Sequence, residues 1–192
     1  MILEGINKVD CFTVDDIAKI RNISSASARV YCSRKAGKGE YIRLKNNLYI
    51  LKTRWDELKW VDQMKLANRI QVPSYVSLLT ALAMYELTTQ IPTGRIESIA
   101  IKRTYIKEIE GIEFAFIKID KNLYRGFTRK DGLFIAEPEK ALIDCIYLSS
   151  FGKYAIDLNA LEWNSISRNI LDRWLMKLPE KTQNWWKRYG NI

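Results

Sequence analysis

Serine and arginine side chains gather on one side of a helix predicted over residues 25–36. At 3.6 residues per turn, one side is formed by Ala28, Tyr31, Cys32 and Ala36, and the residues pointing away from it are Ser27, Arg29, Val30, Ser33 and Arg34. Serine hydroxyls bond to phosphate oxygens or base edges, and a guanidinium group can form two parallel hydrogen bonds to a guanine. The exposed side therefore has the chemistry needed to contact the major groove of a nucleic-acid duplex.

The positive charge of the chain is concentrated around this helix. Residues 17–54 contain ten basic residues and one acidic residue, Glu40. This excess of nine equals the formal net charge of the whole chain, +9, so the remaining residues carry balanced charge. A cluster of one sign predicts a phosphate-binding face, although charge alone leaves open a basic surface that only aids solubility. Its coincidence with the serine and arginine side chains favours nucleic acid.

A short helix is predicted just before the basic one. Thr13 is placed to cap its first turn, with Asp16 at the capping-box position and Asp15 favoured by the helix dipole. Phe12 and Ile17 have the spacing of a hydrophobic staple, which fixes how the chain enters the helix. These signals predict a first helix that begins immediately after Thr13.

A tight turn at residues 21–23 joins the first helix to the second, which is capped by Ser24 or Ser25. Gly37 and Gly39 mark the end of the second helix. Two short helices joined in this way predict a helix-turn-helix, whose second helix is the one that reads bases.

Residues 41–51 follow as a predicted β-hairpin with Asn46 and Asn47 as its two-residue turn. This turn predicts an apolar face and a charged face, formed by the pairs Leu44–Tyr49 and Ile42–Leu51 and by Arg43 and Lys45, respectively. Such a hairpin is typical of the wing of a winged helix. An ordinary edge hairpin is the alternative, since nothing in the sequence places the asparagine tip in a minor groove.

Together these elements predict a winged helix-turn-helix domain over residues 1–54 that binds double-stranded DNA. The candidate DNA-binding residues lie at the start and on the exposed side of the second helix, just beyond its end and on the hairpin. They are Ser24, Ser25, Ser27, Arg29, Ser33, Arg34, Lys35, Lys38, Arg43, Lys45, Asn46 and Asn47.

Several catalytic and metal-binding chemistries have no residues to support them. The chain contains no histidine, which excludes histidine-based triads and histidine metal sites, and it has no glycine-rich phosphate loop. Its three cysteines, Cys11, Cys32 and Cys145, are widely spaced and are predicted to be reduced core thiols. We therefore expect neither a cofactor nor a bound metal.

The composition is that of a globular protein, with 47% hydrophobic and 28% charged residues. Residues 1–10 lack the basic flank and apolar segment of a signal peptide, and no segment has the ~18 apolar residues that a membrane span requires. We expect a cytoplasmic protein with no membrane partner.

The rest of the chain, residues 55–192, predicts a C-terminal domain of helices around a small, mainly antiparallel sheet, which makes the fold class α+β. Its predicted elements are a connecting helix at 55–71, a buried helix at 78–87 entered through residues 75–77, strands at 97–101, 112–116, 123–127 and 133–136, and a helix that begins at Pro138.

One acidic cluster invites comparison with metal-dependent nucleases, because Asp131, Glu137 and Glu139 lie close in sequence to Lys140. Those sites need an acidic residue two positions before the lysine on one strand face, and that position holds Pro138. The carboxylates are also stabilised by the start of the helix alone. The spacing does not favour an enzyme.

The last forty residues are rich in aromatic side chains, most of which are expected to be core. The run Trp185-Trp-Lys-Arg-Tyr189 cannot point inward as a whole from one helix. Tryptophan and arginine dominate interface hot spots, so the candidate partner-binding residues are Trp185, Trp186 and Arg188.

The order of these elements resembles AbiEi-type antitoxins of type IV toxin-antitoxin systems over nearly the whole chain. The sharpest part is residues 136–144, Ala-Glu-Pro-Glu-Lys-Ala-Leu-Ile-Asp. Other matching parts are Leu48-Tyr-Ile at the end of the hairpin, Tyr75-Val-Ser-Leu with Ala81-Leu82, and residues 96–103 and 111–126. The family often has glycine at the position of Asn47. This sequence therefore departs from the family at a residue that affects the geometry of the wing.

The resemblance implies an autorepressor whose winged helix binds inverted repeats in its own promoter. It also implies a C-terminal domain that counteracts a nucleotidyltransferase-like toxin, directly or indirectly. A free-standing winged-helix regulator that responds to a ligand or protein partner is the alternative, and an enzyme is third. A nucleotidyltransferase-like gene immediately downstream would favour the antitoxin. The sequence leaves open whether the protein forms a homodimer or binds DNA cooperatively.

Overall fold

The computed structural model describes residues 11–190, so the prediction that residues 1–10 form no signal peptide lies outside the described residues. The chain divides between Ile70 and Gln71 into two compact units, each built from helices and strands. The boundary predicted from the sequence lies after Arg54, which assigns residues 55–70 to the second domain. No helix within the described range is long and apolar enough to cross a bilayer.

The described part of the first unit, residues 11–70, contains four helices and a two-stranded hairpin. In chain order they are α1 (Val14–Arg21), α2 (Ser25–Gly37), β1 (Tyr41–Lys45), β2 (Leu48–Leu51), α3 (Lys52–Asp56) and α4 (Trp60–Ile70). The region predicted as one connecting helix is therefore two. Helix α4 has a cap of its own: the Lys59 amide donates to the Asp62 carboxylate at 3.2 Å, in the first turn of the helix.

The start of α1 and its connection to α2 follow the predicted signals. The Asp16 amide donates to the Thr13 hydroxyl at 3.2 Å, and the Thr13 amide donates to the Asp16 carboxylate at 2.7 Å, which confirms the capping box. The Thr13 hydroxyl and amide lower the pKa of Asp16. Asn22 then ends α1 in the left-handed conformation, with φ of 51°, which asparagine tolerates.

The core of the first unit joins α1, α2 and the hairpin. Phe12 and Ile17, the predicted staple, are both buried in it, with Val14, Ala28, Cys32, Tyr41 and Tyr49. Phe12 and Tyr49 also exchange two backbone hydrogen bonds of 2.8 Å, so residue 12 forms an isolated antiparallel bridge with β2 of the hairpin. The Phe12 ring meets the Tyr41 ring edge to face at 5.0 Å. This packing fixes the hairpin against both helices.

The hairpin has a different register from the predicted one. Its observed pairs are Tyr41–Leu51, Ile42–Ile50, Arg43–Tyr49 and Lys45–Leu48. The pairs Leu44–Tyr49 and Ile42–Leu51 are therefore wrong. The two-residue turns that match the strand twist need positive φ at their first residue, here Asn46, whereas of the two asparagines only Asn47 has it, at 61°. The strands compensate through an irregularity between Arg43 and Lys45, which places one extra residue in β1.

The second unit contains a six-stranded mixed sheet where the sequence predicts a small, mainly antiparallel one. Its strands are β3 (Ser74–Val76), β4 (Arg95–Ala100), β5 (Tyr105–Ile109), β6 (Ile112–Lys118), β7 (Phe127–Lys130) and β8 (Leu133–Ala136). They lie in the order β5-β6-β4-β3-β8-β7, in which β4–β6 and β3–β8 are parallel and the other neighbours are antiparallel. The mixed α+β class is thus shown.

Helices accompany this sheet. They are α5 (Leu78–Met84), α6 (Pro138–Ser150), α7 (Arg168–Leu175) and α8 (Glu180–Tyr189), with 3₁₀ turns at Lys121–Leu123, Leu158–Ala160 and Trp163–Ser165. Two predicted segments are wrong. Residues 75–77, predicted only as the approach to a helix, include the last two residues of β3, one of the two central strands. The strand predicted at 123–127 is instead the end of a 3₁₀ turn and a bend, with only Phe127 in β7. Gly126 makes that bend with φ of 76°.

A buried polar network ties α6 to β3. Asp144 and Lys140 form an ion pair one helical turn apart, and each has only 1% of its surface exposed. The second Asp144 oxygen accepts from the hydroxyls of Tyr75, at 3.0 Å, and Ser77, at 2.8 Å. Burial raises the pKa of Asp144, which these three donors counteract. The segment at residues 136–144 is therefore a structural element of the second unit.

Candidate nucleic-acid interface

Helix α2 presents the predicted polar face to solvent. Ala28 and Cys32 are fully buried beneath it, and burial raises the pKa of the Cys32 thiol. The exposed residues are Ser27, Arg29, Val30, Ser33 and Arg34, as the helical wheel predicts. The division between a buried and an exposed side of α2 is confirmed, and the exposed side combines two guanidinium groups with hydroxyls.

The serines at the start of α2 hold one another in place. Ser24 caps the helix by accepting from the Ser27 amide at 3.1 Å, and its hydroxyl lies 2.9 Å from the Ser27 hydroxyl. The Ser25 hydroxyl donates to the Asp15 carboxylate at 3.4 Å. All three serines are exposed, and they lie at the N-terminus of α2. This is the positive end of the helix dipole, where a bound anion is stabilised.

The basic residues of α2 and its C-terminal end differ in whether they pair with an acidic side chain. Arg29, Arg34 and Lys38 are exposed, and their side chains make no hydrogen bond or ion pair with any residue in the range 11–190. Lys35 forms an ion pair with Glu40, and the hydrogen bond to that carboxylate raises the pKa of Lys35. Arg29 and Arg34 of α2, and Lys38 just beyond its end, are therefore the cations best placed to bind phosphate.

The hairpin side chains are tied to the protein more than the sequence suggests. Asn47 accepts from the Val14 amide at 3.0 Å and so caps α1, while the Lys45 ammonium donates to the Arg69 carbonyl at 2.7 Å. Arg43 is exposed and donates to the Asn46 side chain at 3.1 Å. The structure thus gives Lys45 and Asn47 internal bonds, whereas Arg43 and Asn46 form an exposed polar pair at the turn.

Two residues beyond the predicted set belong to this surface. Val30 is 50% exposed in the middle of the polar face of α2, where its methyl groups could meet a thymine methyl group. Arg21 lies over the Tyr31 ring at 4.3 Å and donates to the Tyr31 hydroxyl at 3.2 Å. The excess charge of residues 17–54 includes Arg21, but only the structure shows that it is fixed beside α2.

The residues of the acidic cluster serve separate structural contacts. Lys140 pairs with Asp144, and Glu139 accepts from the Ser167 amide at 2.9 Å. Asp131 lies in the exposed turn between β7 and β8. Across residues 11–190, no three His, Cys, Asp or Glu side chains come together in a way that could hold a metal ion.

The aromatic residues of α8 divide between packing and exposure. Trp186 packs against Trp163, with ring centroids 6.1 Å apart, whereas Trp185 packs at a tilt against the exposed Tyr189, with ring centroids 5.1 Å apart. Trp185 and Arg188 line one open pocket together with Lys181. Of the three candidate partner-binding residues, Trp185 and Arg188 therefore share a surface, and Trp186 contributes to packing.

The fold of this chain is similar to that of a protein of known structure. No family model and no curated protein matches the sequence. The crystal structure of the RV2827C protein from Mycobacterium tuberculosis is similar, with a TM-score of 0.58 and 11% sequence identity. The match covers 96% of this chain and 73% of the mycobacterial one. At this identity the likeness shows a shared fold along almost the whole chain.

Proposed function

We propose that this protein is a cytoplasmic DNA-binding repressor and antitoxin of the AbiEi type. The observation that carries the DNA-binding part is the exposed side of α2. There Arg29 and Arg34 have no hydrogen-bond or ion-pair partner among residues 11–190, and they project from a helix whose other side is buried. Unpaired guanidinium groups on the exposed side of a short, well-capped helix suit phosphates and guanine edges.

The proposal assigns the first unit as a winged helix-turn-helix. Support comes from the short turn between α1 and α2, and from a hairpin held to both helices by Phe12 and Asn47. Asn47 has φ of 61°, a conformation that glycine adopts without cost, so the glycine often found there in the family fits the same turn. In this assignment α2 enters the major groove, and Arg43 and Asn46 approach the adjacent backbone.

The antitoxin part rests on the resemblance, whose sharpest segment is residues 136–144. In this chain that segment supplies Lys140 and Asp144 to the buried network, so the matched residues determine the fold of the second unit. The proposed task of this unit is to counteract a nucleotidyltransferase-like toxin. Its candidate contact surface is the pocket lined by Trp185, which is partly buried, and the exposed Arg188.

A ligand-responsive regulator is the second candidate function. The observation that favours it is a pocket of about 310 Å³ in the second unit, lined by three basic residues and Trp174. The two functions differ in what controls DNA binding. For the antitoxin it is the balance between toxin and antitoxin, and for the ligand-responsive regulator it is a small molecule.

The experiment that tests DNA binding is a salt titration with the full chain and its own promoter duplex. The logarithm of the affinity should fall linearly with the logarithm of salt concentration, because each phosphate contact releases roughly 0.9 counterions. If Arg34 contacts a phosphate, Arg34→Ala should reduce the slope by about 1; if it contacts a base, the variant should lose preference for the promoter. Lys38→Ala removes an exposed cation beyond the end of α2 and should weaken binding to all sequences alike.

Lys153→Ala is the matched control, because Lys153 is an exposed cation of the second unit. It should change neither slope nor preference. A flat salt dependence would contradict the electrostatic part of the proposal. Equal losses for Arg34→Ala and Lys153→Ala would show that α2 is not the binding face.

A further inference from the structure

The pocket beside α7 is positively charged and partly apolar. Its lining consists of Arg125, Gly126, Ile170, Arg173, Trp174 and Lys177. Three of these six residues are basic and none is acidic. Within the described part of the chain, Arg173 and Lys177 are exposed and form no ion pair. The pocket therefore concentrates positive charge that is not paired with any acidic residue of the range 11–190.

The α7 side of the pocket follows from helical spacing. Arg173 and Trp174 lie three and four residues after Ile170, and Lys177 lies four and three residues after them, so the four side chains lie along one side of α7 and the turn after it. Arg125 and Gly126 come from the bend before β7 and close the opposite wall. Cations from two different elements thus face one space, with the Trp174 ring between them.

Trp174 is held firmly in this position. A Cβ atom at Gly126 would lie 2.5 Å from the Trp174 ring, so only glycine allows this approach. The Arg125 guanidinium lies 5.4 Å from the ring centroid, and the buried Lys140 ammonium also lies 5.4 Å from it. Because Lys140 belongs to the network with Asp144 and Tyr75, the pocket wall is anchored in the core of the second unit.

We propose that this pocket binds a nucleoside di- or triphosphate. A volume of about 310 Å³ is at the small end for ligand pockets and suits one nucleotide rather than a polymer. The ring of the base packs against Trp174 and Ile170, and the phosphates bind Arg125, Arg173 and Lys177. Three cations match the charge of a di- or triphosphate better than that of a monophosphate. The site is independent of the DNA-binding face proposed on α2.

The test is isothermal titration calorimetry of the full chain, without DNA, against adenosine, AMP, ADP, ATP and inorganic tripolyphosphate. We expect affinity to rise from AMP to ATP and adenosine not to bind. Tripolyphosphate, which has no ring to pack on Trp174, should bind about tenfold more weakly than ATP or worse. No binding of ADP or ATP at millimolar concentration would overturn the proposal, and equal affinities for ATP and tripolyphosphate would overturn its nucleoside part.

Variants locate the site. Arg173→Ala and Lys177→Ala should each weaken ATP binding about tenfold, while Lys153→Ala, an exposed cation outside the pocket, should leave it unchanged. All three positions are exposed, so circular dichroism should report an intact fold. Arg29→Glu/Arg34→Glu should also leave ATP binding unchanged. Loss of ATP binding in that variant would place the nucleotide on α2 and overturn the pocket.

Discussion

Asp144→Ala is expected to lower the free energy of unfolding of the second unit by about 3–5 kcal/mol, a large part of the ~5–15 kcal/mol that stabilises a typical domain. The substitution leaves Lys140 charged and 1% exposed without its partner. It also removes the acceptor for the Tyr75 and Ser77 hydroxyls. A buried charge and two buried donors without partners are each costly, and here they arise together.

Urea unfolding followed by tryptophan fluorescence measures this effect, because four of the six tryptophans lie between residues 71 and 192. Asp172→Ala removes an exposed carboxylate of the same unit and should change stability by less than about 0.5 kcal/mol. Lys140→Met/Asp144→Leu should be more stable than Asp144→Ala, since it leaves no charge buried. Equal stabilities of Asp144→Ala and Asp172→Ala would show that the network does not stabilise the unit.

Arg29→Glu/Arg34→Glu is expected to weaken promoter binding by at least about 100-fold, since it replaces two contacts worth about 1–3 kcal/mol each by repulsion from phosphates. Both side chains are exposed and unpaired within the described range, so the fold should persist. In cells that carry the adjacent toxin gene under separate control, the same variant should still restore growth. This outcome follows because the proposal assigns toxin neutralisation to the second unit.

Lys121→Glu/Lys153→Glu is the matched control, with the same change of charge on exposed residues of the second unit. It should reduce promoter binding far less than reversal on α2. Loss of growth rescue together with loss of promoter binding in Arg29→Glu/Arg34→Glu would mean that protection operates through repression. The division of labour between the two units would then be wrong.

The elements around the candidate interface could be predicted because their signals are local. The cap of α1 depends on Thr13 and Asp16, three residues apart, and the buried side of α2 follows from the positions of Ala28 and Cys32. The hairpin was predictable as an element but not in its register. That register depends on the conformation of Asn46 and Asn47, and asparagine accepts both positive and negative φ.

The features of the second unit that the sequence did not predict depend on contacts between residues far apart in the sequence. Strand β3 has three residues, all buried, so it shows no alternation of apolar and polar positions. Tyr75 and Asp144 are 69 residues apart, and no local pattern indicates that they share a hydrogen bond. The pocket likewise joins Gly126 to Trp174, which only the packing of α7 beside the bend brings together.

The most direct test of the proposed function is a fluorescence anisotropy titration of the full chain at about 0.15 M salt. One duplex carries the inverted repeats from the region upstream of its own gene, and the other is a scrambled duplex of equal length. A specific repressor should bind its promoter about 10³-fold more tightly than the scrambled duplex, or better. Equal affinities for the two duplexes, or no binding to either, would contradict the proposal that α2 reads DNA.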